Sequence, residues 1–205
     1  LVGSEMCIRD RVSMRTCMDR PQSGTSRGFA CVAAKHMFIS ERENEQNMTS
    51  LLDEPFQTMD GDTTTLRKLG GERWLVVNVA SACGATPQYA GLQELHEKHE
   101  ALTVVGFPCN QFGGQEPGTH QEICDFTSSK YNVSFPLMAK IEVNGPNRLP
   151  LFERLCQTAV AGREAGDVRW NFEKFLIDAS GKVERFSSGA KPDTCLLYTS
   201  PSPRD

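Results

Sequence analysis

No stretch of this 205-residue chain approaches the ~20 consecutive apolar residues that a membrane-crossing helix requires, so stable membrane insertion is not expected. Neither sign of charge dominates: 22 Lys and Arg against 26 Asp and Glu leave a formal net charge of -4, which argues against nucleic acid or an anionic membrane as the main partner. Histidine is scarce, 4 in all, and the close pair His96 and His99 lies in H-E-K-H with no cysteine at a matching distance. That pair reads as a solvated helix face, and no metal site is expected. The 8 cysteines lack the spacing of a small secreted disulfide scaffold, which points to a reducing compartment, the cytoplasm.

Both ends call for separate treatment. Residues 195–205 (CLLYTSPSPRD) can be encoded by a DNA segment whose complementary strand, in one frame, encodes residues 1–10 (LVGSEMCIRD). Two unrelated protein termini should not share one segment in that way, so 1–11 and 195–205 are expected to be adapter-like and non-native, and Cys7 and Cys195 say nothing of redox chemistry. Residues 12–47 have no sustained periodicity, and up to about His36 they are basic and nearly free of acids. They read either as an organellar transit peptide or as upstream sequence translated ahead of Met48. What remains, 48–194, suits one domain with a sizeable core.

What the sequence does have is an apolar run, Trp74-Leu75-Val76-Val77-Asn78-Val79-Ala80, which reads as a strand buried on both faces. The small residues around Cys83 follow, then a helix from Pro87 to about Glu100 with Tyr89, Leu92 and Leu95 at helical spacing. Cys83 thus stands where a central strand hands over to a helix. Free N–H groups and the helix dipole at such a junction favour an anion, and the thiolate is the nucleophilic form of cysteine. A buried, inert thiol is the competing reading. Three residues on stands Thr86, so two-cysteine C-x-x-C chemistry is not expected at this turn.

The remaining elements read as a hairpin of 56–59 with 63–66 around Asp60-Gly61-Asp62, a buried strand at 102–107 closing a βαβ unit, and a helix to about Tyr131 opened by a Thr119/Glu122 capping box. A strand at 140–143, a helix from 150 to about 159, and a closing hairpin of 171–178 with 182–187 complete the order. An α/β fold of thioredoxin type accounts for it: a central mixed sheet flanked by helices, with an N-terminal β-hairpin.

Four separated stretches, 78–86 (NVASACGAT), 106–118 (GFPCNQFGGQEPG), 140–145 (KIEVNG) and 170–176 (WNFEKFL), resemble segments of glutathione peroxidases in their cysteine rather than selenocysteine form. The resemblance covers about residues 48–194. It implies a thioredoxin-like fold and reduction of hydroperoxides, with the peroxidatic residue at Cys83, partners at Gln111, Trp170 and Asn171, and Gly84 contributing backbone near the sulfur. The short connection from Phe152 to Trp170 resembles the smaller, monomeric members that also accept lipid hydroperoxides. Family members usually continue into a closing helix after the segment matching Lys191-Pro192-Asp193, so the native end is expected to be missing and an apolar patch uncovered.

Acidifying a thiol gains only a few-fold, because nucleophilicity falls with pKa. The larger contribution is expected from the amide donors of Gln111 and Asn171 and the indole N–H of Trp170, aimed at the sulfur and the departing oxygen. The product at Cys83 would be a sulfenic acid, formed with no metal or organic cofactor and reduced by glutathione or thioredoxin. Thioredoxin-using members resemble this chain but carry a resolving cysteine at the position of Thr127 or Ser128. Here Cys124, about one helical turn earlier, either resolves the sulfenic acid or is a bystander. The rival reading is a thioredoxin-fold redox sensor that relays oxidation to a partner.

Overall fold

The computed structural model describes residues 50–197; the readings of 1–11, 12–47 and 198–205 concern segments outside them. A short antiparallel pair, β1 (Phe56–Gln57) and β2 (Thr63–Thr64), forms the expected hairpin, with Gly61 at φ 89°. It is shorter than expected because Thr58 and Asp62 close the turn: the Thr58 N–H donates to the Asp62 carbonyl at 2.9 Å, and the Asp62 N–H to Thr58 Oγ1 at 3.2 Å.

The apolar run becomes β3 (Arg73–Val79), followed by α1 (Gln88–Lys98), β4 (Leu102–Pro108) and α2 (His120–Tyr131). Then come α3 (Pro150–Leu155), β5 (Lys174–Asp178), β6 (Val183–Phe186) and α4 (Thr194–Leu197). The four long strands lie in the order β4-β3-β5-β6, with β3 parallel to β4 and antiparallel to β5, a mixed sheet of thioredoxin-like design. Side chains alternate across β3 as the pleat requires. Trp74 and Val76 join the core under α3 and the hairpin, whereas Leu75, Val77 and Val79 join the core under α1. Both faces are covered, so β3 needs no polar side, which is why it reads as one apolar run. Cys195, in α4, is buried in the α1-side core.

The Thr119/Glu122 capping box forms as expected. Three expectations are corrected. Residues 140–143 form no strand, because the Val143 and Asn144 N–H groups both donate to Gln111 Oε1, at 2.9 and 3.0 Å, and so are withdrawn from any ladder. The helix at 150 stops at Leu155 rather than about 159, since the Cys156 and Thr158 carbonyls turn to the guanidinium of Arg185. Residues 171–173 form a turn ahead of β5 instead of extending it, for a reason that belongs to the site. His96 also departs from the solvated-face reading: it is half-buried with its ring edge-on to Phe135, while His99 is exposed.

Candidate active site

Cys83 sits in the turn between β3 and α1, and Thr86 braces that turn. Thr86 Oγ1 accepts the Cys83 N–H at 2.9 Å and donates to the Ala80 carbonyl at 2.9 Å, while the Thr86 N–H donates to the Cys83 carbonyl at 3.0 Å. The residue that would be a second cysteine in a dithiol enzyme is here a buried structural strut. The Ala85 N–H donates to Cys83 Sγ at 3.4 Å. That bond comes from Ala85, one residue beyond the expected Gly84. Cys83 is 9% exposed between exposed Ala82 and Gly84, and a side chain added at Gly84 would meet no atom within 4 Å. The sulfur is thus held from below and open at its rim.

Two residues absent from the sequence-based site tie distant chain to this turn. Asn78 is a fully buried amide within β3. Its Nδ2 donates to the Trp170 carbonyl at 3.0 Å, its Oδ1 accepts the Glu173 N–H at 3.0 Å, and its backbone carbonyl accepts the Phe172 N–H at 2.6 Å. Those bonds hold 170–173 as a turn with Phe172 at φ 63°, a left-handed value that a bulky residue adopts only when its surroundings impose it. Lys174 adds to the clamp, its Nζ donating to the carbonyls of Phe172 and Ala190 at 2.8 Å each, and burial pulls its pKa down to about 8. Glu173 anchors the other side through Arg163, Arg185 and the Arg169 N–H.

The second missed residue is Gln115. Its carbonyl accepts the Ala82 N–H at 3.0 Å, and its Oε1 accepts Asn171 Nδ2 at 2.9 Å. Asn171, fully buried, is thereby joined to the chain immediately before Cys83, and its Oδ1 is left without a partner. Trp170 is 43% exposed, its ring tilted at 50° to that of Phe112 with centroids 5.9 Å apart. Gln111 is corrected: its Oε1 takes the Val143 and Asn144 N–H groups and its Nε2 donates to the Asn144 carbonyl at 2.8 Å, so the whole amide braces a loop. The signal for Gln115 was present in the sequence, since two consecutive glycines before it permit a reversal of the chain. Asn78 was readable too, as the lone amide in an apolar strand.

Cys124 lies half-buried on α2, and both it and Cys83 are free thiols. Burial, then Asp125 and Asp60, push its thiol above the ordinary range. Burial does the same to Cys109 and Cys156, and pushes Cys195 up to about 11. Thr127, which with Ser128 is one of the two positions where the resemblance implies a resolving cysteine in thioredoxin-using members, is buried, and its hydroxyl donates to the Ile123 carbonyl at 2.8 Å. Among the described residues no group of three or more His, Cys, Asp or Glu is arranged to hold a metal, and no helix is long and apolar enough to cross a membrane.

The family model for glutathione peroxidase matches residues 51–156. A protein of Synechocystis sp. named Hydroperoxy fatty acid reductase gpx1 is 50% identical over 145 residues, 66% of this chain and 85% of that protein. The Escherichia coli protein named Thioredoxin/glutathione peroxidase BtuE is 41% identical over 173 residues, 74% of this chain and 94% of that protein. Among solved structures, a thioredoxin-like protein from Aeropyrum pernix superposes with a TM-score of 0.56 over 82% of this chain and 99% of its own; at 17% identity this shows the fold alone. The strut at Thr86, the match across the Cys83 turn and the loop after β4, and identities of this order over most of each relative place the chain in the glutathione peroxidase family.

Proposed function

We propose that this chain reduces hydrogen peroxide and organic hydroperoxides, lipid hydroperoxides included, through the thiolate of Cys83. The sulfur attacks the outer oxygen of ROOH, the O–O bond breaks, alcohol or water departs, and Cys83 becomes a sulfenic acid. The observation that carries the reading is the double tie at Gln115, which holds both the residue before Cys83 and the side chain of Asn171. In this reading Gln115 takes the role first expected of Gln111. Gln115, Asn171 and the indole of Trp170 then supply donors that do not titrate and that stabilise charge as the O–O bond breaks. The Ala85 N–H fixes the position of Sγ in the turn.

The chemistry invokes only a thiol reductant. Glutathione or thioredoxin fits that role, in keeping with the relatives' names, and the protein acts as a monomer in the cytoplasm. Cys124 resolves the sulfenic acid only if α2 opens, since it is held in a regular helix that runs from His120 to Tyr131. Steady-state turnover of hydrogen peroxide and a phospholipid hydroperoxide, with each reductant, tests the proposal. Cys83→Ser is expected to abolish turnover, and full peroxidase activity in that variant contradicts it. Oxidation of a partner protein without peroxide turnover points instead to the redox sensor.

A further inference from the structure

Beside the Cys83 turn lies a group of buried oxygens that the reaction described so far does not use. Ser81 Oγ, Tyr89 Oη and both carboxylate oxygens of Glu116 are buried and none has a well-formed hydrogen bond, although Ser81 stands close enough to the Glu116 carboxyl to lower its pKa. Glu116 is fully buried, yet it is not adrift: its N–H donates to Asn110 Oδ1 at 2.8 Å and its carbonyl accepts Lys140 Nζ at 2.8 Å. The residue before it, Gln115, is fastened to Ala82. The carboxyl is therefore presented to the turn that carries Cys83. Facing it are the Ser81 hydroxyl and N–H, the Lys140 ammonium, the Tyr89 hydroxyl from α1 and the Cys109 thiol from the end of β4. Burial raises the carboxyl's pKa above the ordinary value, with Ser81 and Lys140 opposing, so the group is a better proton acceptor and holder than an exposed glutamate. A buried carboxyl so weakly held is costly to keep charged.

The reaction needs such a group. Departing hydroxide or alkoxide is a strong base, and the amide and indole N–H groups of Gln115, Asn171 and Trp170 stabilise charge but do not give up a proton. We propose that Glu116, acting through the Ser81 hydroxyl, is the proton carrier of the Cys83 site. This rests on Cys83 being the peroxidatic residue. The step starts from the Cys83 thiolate, whose proton has gone to solvent, and from Glu116 holding a proton of its own. The thiolate's electron pair forms the S–O bond to the outer oxygen, which keeps its hydrogen, and the O–O pair leaves on RO. The proton on Glu116 then passes to RO, giving ROH and leaving a carboxylate that takes its next proton from solvent. Sulfur is oxidised by two electrons and the peroxide is reduced by two.

The test compares leaving groups in the full chain. Glu116→Gln is expected to slow Cys83 oxidation by tert-butyl hydroperoxide about 100-fold, a normal contribution for general acid catalysis. The same variant should keep its wild-type rate with peracetic acid, whose leaving acetate needs no proton. A merely structural role slows both alike, and that result, or no slowing of either, overturns the proposal. Should Glu116→Gln fail to fold, Ser81→Ala is read in the same way. The unmodified protein adds a second readout, a solvent isotope effect present with the alkyl hydroperoxide and absent with the peracid; an equal effect with both overturns the proposal. Failure of the underlying reading looks different, because Cys83→Ser would then keep its reactivity toward both oxidants.

Discussion

Gln111 and Gln115 leave the same loop four residues apart with the same side chain and are put to different uses. Gln111 spends its whole amide on the backbone of residues 143 and 144 and so replaces a strand. Gln115 joins the Cys83 turn to Asn171. What separates them is the backbone between: Gly113 and Gly114 both take left-handed φ values, 67° and 64°, which residues with a Cβ resist. The chain reverses there and brings the second glutamine, not the first, to Ala82 in the Cys83 turn. Chemical type nominates a site residue, but the path of the main chain decides which nominee arrives.

The most forceful way to break this contrast is to truncate each glutamine in turn. Gln115→Ala is expected to lower kcat/KM about 100-fold, the usual cost of losing one preorganised donor. Gln111→Ala should leave kcat/KM near the wild-type value and instead cost about 2 kcal/mol of stability, because it strands two N–H groups and a carbonyl. Loss of activity at unchanged stability in Gln111→Ala would reverse the assignment. Asn78→Ala sharpens the same point from the other strand. It should cost about 3 kcal/mol in denaturant unfolding and change the tryptophan emission as the 170–173 turn comes free. An unaltered spectrum and midpoint would show that the turn does not depend on that clamp.

The smallest effect concerns the neighbour of Gln115. The folded pKa of Glu116 lies above its ordinary value of 4.5, so its favourable share of stability is whole below that pH and is lost as pH rises through the folded value. Glu116→Gln should therefore gain on the wild type as pH is raised from 4 to 8. Melting curves across that range check it, and a gap that narrows with rising pH contradicts it.

Much of the frame could be read from the residues. β3 and β4 announce themselves as apolar runs, the Asp-Gly turn places the first hairpin, and Thr119 with Glu122 caps α2 as written. Cys83 could be located for the same reason, since it stands beside a recognisable strand, whereas Asn171 entered through the family resemblance alone. The misses share one physical origin, side chains taking over backbone partners. Gln111 withdraws the N–H groups of 143 and 144, Arg185 takes the carbonyls that would prolong α3, and Asn78 captures the chain ahead of β5. Such substitutions link residues dozens of positions apart, and no local pattern in the chain announces them.

The central claim, that Cys83 alone takes the peroxide oxygen, is tested most directly by exposing the reduced protein to one equivalent of hydroperoxide with dimedone present and mapping the adduct by mass spectrometry. The account predicts dimedone on Cys83, or a Cys83–Cys124 disulfide where α2 has opened first, with Cys109 and Cys156 unmodified. Dimedone on any other cysteine while Cys83 remains a free thiol would contradict it.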